Sequence, residues 1–149
     1  MRSRPALLSL LVTAALTAST GLVGAGPASA TTTREARMLT KINHARANHG
    51  LRPLHASPDL MQAARSHSKS MAGSRVLFHT ASFSSLCCWE AVGENVGDGF
   101  TVRSLHRQFM HSSPHRANIL ARRMRQVGVG IVSSGGRLWV TEIFRDPAR

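Results

Sequence analysis

Residues 137–144, Arg-Leu-Trp-Val-Thr-Glu-Ile-Phe, read as a β-strand that is apolar on both faces, with Leu138 and Val140 on one and Trp139 and Ile143 on the other. Side chains alternate across a strand, so a sheet containing this one needs cover on both sides. Just upstream, residues 126–132 alternate valine or isoleucine with Gly128 and Gly130, a second strand. Ser133-Ser134-Gly135-Gly136 between them has the composition of a hairpin turn. The chain is therefore expected to close with a β-hairpin lying inside a sandwich.

What precedes the hairpin reads as helix. Thr32-x-x-Glu35 forms a capping box ahead of an apolar stripe of Met38, Leu39, Ile42 and Ala45, and Gly50 supplies the stop. Ser57-Pro58-Asp59 starts a second helix, with Ser57 as N-cap and Pro58 at the first helical position. Its inward face is expected to carry Leu60, Ala64, His67 and Met71, and Gly73 to end it. Residues 74–92 read as irregular. A third helix runs from Thr101 to about His111 with Val102, Leu105 and Phe109 inward. Ser113-Pro114 starts a short fourth helix with Ile119 and Leu120 on its buried side. Helices first and strands last, around a doubly covered sheet, predict an α+β fold in three layers.

The first 30 residues have the organisation of a signal peptide: Arg2 and Arg4, an apolar core, then Ala28-Ser29-Ala30 as a cleavage site. The competing reading is a retained anchor, because the apolar region approaches the ~20 residues that span a bilayer. Threonines, serines and glycines dilute it, so cleavage and secretion are expected, leaving one domain over residues 31–149 without a transmembrane segment. The chain carries 19 Lys and Arg against 7 Asp and Glu, a formal charge of +12. Such a surface attracts anionic polymers, and Arg122, Arg123 and Arg125 form its densest run. Nucleic acid is not an expected partner, because the chain has no tyrosine and few aromatics to stack on bases. The two cysteines, Cys87 and Cys88, are adjacent and give no long-range framework. A vicinal disulfide, two buried thiols and an intermolecular bridge all fit that spacing.

The residues able to carry chemistry cluster in three places. His79 and His115 stand in polar segments at the edges of regular structure, where packing does not call for a histidine. Two neutral imidazoles brought together begin a divalent-metal site, with water completing the shell. Glu94 lies in Gly93-Glu94-Asn95-Val96. It reads either as a carboxylate that orients an imidazole or metal-bound water, or as one that fixes a loop by bonding backbone amides. H-E-x-x-H, G-x-S-x-G, phosphate-loop and zinc-finger spacings are all absent from the sequence, which removes several enzyme classes. A serine before Pro-His at a helix start is explained by capping rather than by nucleophilic catalysis.

Gly93-Glu94-Asn95-Val96 followed by Ser112-Ser113-Pro114-His115-Arg116-Ala117-Asn118-Ile119-Leu120, with His79 ahead and Val-Gly-Val-Gly-Ile behind, resembles the bacterial branch of the CAP superfamily. This group comprises cysteine-rich secretory proteins, antigen 5 and pathogenesis-related type 1 proteins. The resemblance runs from Ile42-Asn43-x-x-Arg46 to Trp139-Val140-Thr141-Glu142-Ile143-Phe144 and implies a three-layer α-β-α sandwich. It implies that His79 and His115 face each other in a cleft able to hold zinc or a similar ion weakly, with Glu94 beside them. The second cleft glutamate of eukaryotic members falls on Ser112, which carries no charge, so paired-carboxylate catalysis is not expected. Glu142, where bacterial relatives often carry Gln, is expected at the cleft as a peripheral hydrogen bonder or a replacement carboxylate. Asn43 and Arg46 match a recurring pair and are read as structural.

The leading functional expectation is a secreted binding or scaffold module whose cleft takes a small apolar or lipid-like ligand or a cell-envelope component. A metal-dependent hydrolase with Glu94 as base is the alternative, and a basic adhesin for anionic wall polymers the third.

Overall fold

The computed structural model describes residues 32–148, so the expected leader and its cleavage point lie outside the described residues. The elements are α1 (Thr33–Asn48), β1 (His55–Ala56), α2 (Pro58–Ser74), β2 (Trp89–Gly99), α3 (Val102–His111), α4 (Ser113–Leu120), β3 (Gln126–Ser134) and β4 (Arg137–Pro147). They form one sheet in the order β1-β3-β4-β2. The pairs β3–β4 and β4–β2 are antiparallel, and β1 adds a short parallel pairing to β3.

Helices cover both faces, as the doubly apolar β4 requires. Trp139 and Ile143 pack toward α2 with Leu60, Ala64, Met71 and Ala72. Leu138, Val140 and Phe144 pack with Met38, Ile42, Leu105, Phe109 and Ile119 of α1, α3 and α4. Each such side chain contributes roughly 1.5–3 kcal/mol by leaving water. The fold is thus an α+β three-layer α-β-α sandwich with a C-terminal β-hairpin. Gly135 and Gly136 turn that hairpin with φ of 58° and 73°, the left-handed pair a two-residue turn needs. Gly128 and Gly130 have a different role. A Cβ on Gly130 would run into the Ala64 carbonyl, so the alternating glycines let α2 lie directly against β3.

The capping box on α1 forms as expected, with Glu35 Oε2 accepting from the Thr32 amide at 2.8 Å. Glu35 also receives two hydrogen bonds from Arg65 of α2, at 2.8 and 2.6 Å, so the cap ties two helices together. Asn43 exchanges hydrogen bonds with the Leu54 backbone at 3.0 and 2.8 Å. Arg46 is fully buried and donates to the carbonyls of Arg52, Ile119 and Ala121 at 2.8, 2.8 and 3.0 Å. Both residues are structural, and Arg46 is the clasp joining α1 to the end of α4.

Several local expectations are corrected. The run 74–92 is not irregular to its end: β2 starts at Trp89 and continues to Gly99, an edge strand hidden from sequence reading by its glycines. Those glycines make room, because a Cβ on Gly97 would meet the Phe109 ring at 2.8 Å. Gly73 does not end α2, which runs on to Ser74 and stops where Arg75 adopts φ 57°. Ser57 starts α2 without a side-chain cap; its hydroxyl donates to Asp59 and accepts from Arg145 at 2.9 Å. The buried polar position on α2 is Ser68, not His67, and Ser68 donates to the Gly130 carbonyl at 2.9 Å. Helix α4 begins at Ser113, making Ser112 rather than Ser113 its N-cap. Cys87 and Cys88 are joined as a vicinal disulfide, the first of the three states that their spacing allows.

Candidate functional site

Strand β2 positions the centre of the site. Glu94 pairs in register with Ile143, and Asn95 with Glu142, so the two neighbours point to opposite faces of the sheet edge. On the α2 side, the Glu94 carboxylate accepts three hydrogen bonds. His79 Nδ1 donates to Oε1 at 2.8 Å, the Thr80 amide to the same oxygen at 2.9 Å, and the Thr80 hydroxyl to Oε2 at 2.6 Å. Both readings of Glu94 hold together: it orients an imidazole and it fixes the loop. Thr80 gave no sequence signal beyond standing next to His79.

The segment ahead of His79 is tied down as well. His67 on α2 shares a hydrogen bond of 2.8 Å with the Phe78 carbonyl and packs edge-on against the Phe78 ring. His79 is thus held from its own ring by Glu94 and from its backbone neighbour by His67. Its side chain remains 61% exposed while that of Glu94 is 3% exposed.

On the other face, Asn95 donates to the His115 carbonyl at 3.1 Å and to Glu142 Oε2 at 3.0 Å. Asn118 of α4 donates to the Glu94 carbonyl at 3.0 Å and to Asn95 Oδ1 at 2.9 Å. These amides bolt the first turns of α4 to β2, and Gly93 leaves the space that Asn118 occupies. The His115 ring packs edge-on against Phe109, with centroids 5.0 Å apart. Burial, followed by the charge of His79, lowers the His115 pKa, so its neutral form is favoured.

Two expected cleft residues sit differently. Glu142 is not peripheral. It is wholly buried beneath Asn95, its Oε1 has no hydrogen-bond partner among the described residues, and burial pushes its pKa up to about 8, only partly offset by Asn95. Burial there favours the protonated carboxyl and leaves it no surface to offer a ligand. Ser112 lies half-buried between α3 and α4, and its backbone, not its hydroxyl, makes the junction bonds. Among the described residues, no hydroxyl of Ser112 or Ser113 is hydrogen-bonded to His115.

The donor set bears on metal. Because His79 Nδ1–H donates to Glu94, the neutral ring carries its lone pair on the exposed Nε2, as in carboxylate–histidine–metal arrangements. Neutral His115 supplies a second imidazole. Among the described residues, no group of three or more His, Cys, Asp or Glu is disposed to hold an ion. A closed site of four protein ligands is thus not present among them, and His79 and His115 are the exposed and half-buried imidazoles of this region. In the basic run, Arg123 is engaged by Asp146 at 3.1 Å and by Glu90 at 3.9 Å, which lowers its worth as a polyanion contact.

Residues 39–144 match the model of the cysteine-rich secretory protein (CAP) family, and the chain belongs to that family. It is 28% identical over 122 residues to the uncharacterized protein YkwD of Bacillus subtilis, spanning 74% of this chain and 46% of YkwD. An extracellular protein containing an SCP domain from Bacillus anthracis superposes with a TM-score of 0.67 at 20% identity, over 75% of this chain and 40% of that one. An outer surface protein of Borrelia burgdorferi superposes with a TM-score of 0.71 at 13% identity, over 79% of this chain and 96% of that one. The chain thus spans less than half the length of the two Bacillus proteins. Among the described residues, no helix is long and apolar enough to cross a membrane.

Proposed function

We propose that this protein is a secreted binding module. It works through the cleft at the edge of β2, where His79 and His115 hold a divalent cation, zinc foremost, and present it to a ligand from the cell envelope. The observation that carries the reading is the Glu94–His79 hydrogen bond, which fixes the ring and its tautomer and leaves Nε2 free. When bound, zinc would supply a Lewis-acidic contact for a ligand oxygen. The protein's own part is to orient: Glu94 and Thr80 set the His79 ring, Asn95 and Asn118 set the start of α4, and Phe109 sets the His115 ring.

Glu94 is better suited to positioning than to general-base work. A base must be free to take a proton, and both Glu94 oxygens are already engaged. This favours the binding module over the hydrolase. Imidazole nitrogen resonances followed during zinc titration at neutral pH test the reading. Nε2 of His79 and of His115 should shift together; movement of one without the other would defeat it. Secretion has its own test. Mass spectrometry of culture medium should find a chain beginning at Thr31, and recovery of the full-length form in membranes alone would contradict it.

A further inference from the structure

Phe100 joins β2 to α3 and is 71% exposed, more than any other large apolar side chain among the described residues. The Arg137 guanidinium stacks over its ring, 4.9 Å from the centroid. Beside it lies a groove of about 700 Å³ between the N-terminal halves of α1 and α3. Val102, Ala36 and Leu138 contribute apolar surface there, while Arg34, Arg37, Lys41 and Arg103 bring positive charge and no carboxylate lines it. Arg34, Arg37 and Lys41 recur at helical spacing and so form one stripe along α1. Among the described residues, none of these four takes part in an ion pair. The nearby acids are committed: Glu35 to Arg65, and Asp98 to Arg137.

We propose that this face docks on anionic lipid bilayers, with Phe100 inserted at the headgroup boundary and Arg34, Arg37, Lys41 and Arg103 on the lipid phosphates. A polyanion alone would account for the arginines but not for an aromatic ring held out into water at their centre. An interfacial site needs both parts: apolar area to bury and cations to draw the surface in. Five residues of β2, 95–99, separate Phe100 from Glu94, so the two lie six residue steps or about 20 Å of extended chain apart. The histidine cleft therefore stays clear of a bilayer engaged by Phe100, and the proposal stands whether or not the cleft binds metal.

The test uses the full chain throughout, so any contribution of residues 1–31 is common to all variants. Binding is measured by co-sedimentation with vesicles of phosphatidylcholine alone, and with equal parts of phosphatidylcholine and phosphatidylglycerol. Phe100→Ser should weaken binding to the anionic vesicles about tenfold, the effect of leaving one aromatic ring in water. Reversing Arg34, Arg37 and Arg103 to Glu should weaken it about a hundredfold or more. All four positions are exposed, and circular dichroism checks that each variant folds. Phe100→Trp gives an independent reading. Its fluorescence above the wild-type background of Trp89 and Trp139 should shift to the blue and be quenched by bromine-labelled acyl chains only when phosphatidylglycerol is present. Absence of quenching overturns the proposal. So does loss on charge reversal with Phe100→Ser unchanged, which would mark a site for anionic polymers instead.

Discussion

Glu94, almost wholly buried, holds the exposed imidazole of His79 through a hydrogen bond of 2.8 Å. A carboxylate fixed in the sheet thereby sets the orientation of a ring on a loop that has little packing of its own. With Thr80 bonded to the same carboxylate, the loop gains a rigid point beside the cleft.

Glu94→Gln should loosen that point. The amide keeps one acceptor oxygen but turns an NH2 toward groups that themselves donate. The expected loss in urea unfolding is about 1–3 kcal/mol, the cost of unmatched buried hydrogen-bonding groups. Ring resonances of His79 should broaden or lose their single tautomer. An unchanged His79 spectrum would mean that the loop is held by other contacts.

Glu142 makes stability depend on pH. Its folded pKa of about 8 lies above the ordinary 4.5, so the folded state retains a proton that the unfolded state releases. Its contribution is full below pH 4.5, declines as pH rises, and is lost above about 8. Glu142→Gln, which cannot ionise, should match wild type near the bottom of that window and gain in Tm toward its top. His106 slopes the other way. Burial, then Lys41 and His44, lower its pKa from 6.5 to about 4, so its contribution is present above 6.5 and fades as pH falls toward 4. The difference between wild type and Glu142→Gln isolates the carboxyl, and a difference independent of pH would show that Glu142 does not titrate between the two states.

Arg46 should not tolerate replacement. Arg46→Met leaves the carbonyls of Arg52, Ile119 and Ala121 without their donor and should cost at least about 3 kcal/mol in denaturant unfolding. Arg46→Lys should recover little, since an ammonium cannot span carbonyls set for a planar fork. Full stability in Arg46→Lys would contradict the clasp.

How much of this could be read beforehand depended on local signals. The capping box at Thr32, the apolar stripe of α1, the glycine turn at 135–136 and the doubly apolar β4 are decided within a few residues, and all stood. Strand β2 was missed because its glycines answer to Phe109, Leu105 and Asn118, which lie far along the chain. Glu142 was misplaced for a related reason: its neighbours gave a strand but not the depth of its carboxyl beneath Asn95. The motifs point to His79, Glu94 and His115, whereas Thr80 and His67, which hold the loop, carry no motif.

In the proposed function His79 and His115 jointly hold a divalent ion, and calorimetric titration of zinc into wild type and into His79→Ala decides it. Wild type should bind one equivalent with a dissociation constant on the order of micromolar, because two imidazoles are fewer than the four ligands of a structural site. Affinity should fall as pH drops through about 6.5, where imidazole takes up a proton. His79→Ala should lose the binding. Equal binding by both proteins would contradict the shared site and leave His79 as an anchor for its loop.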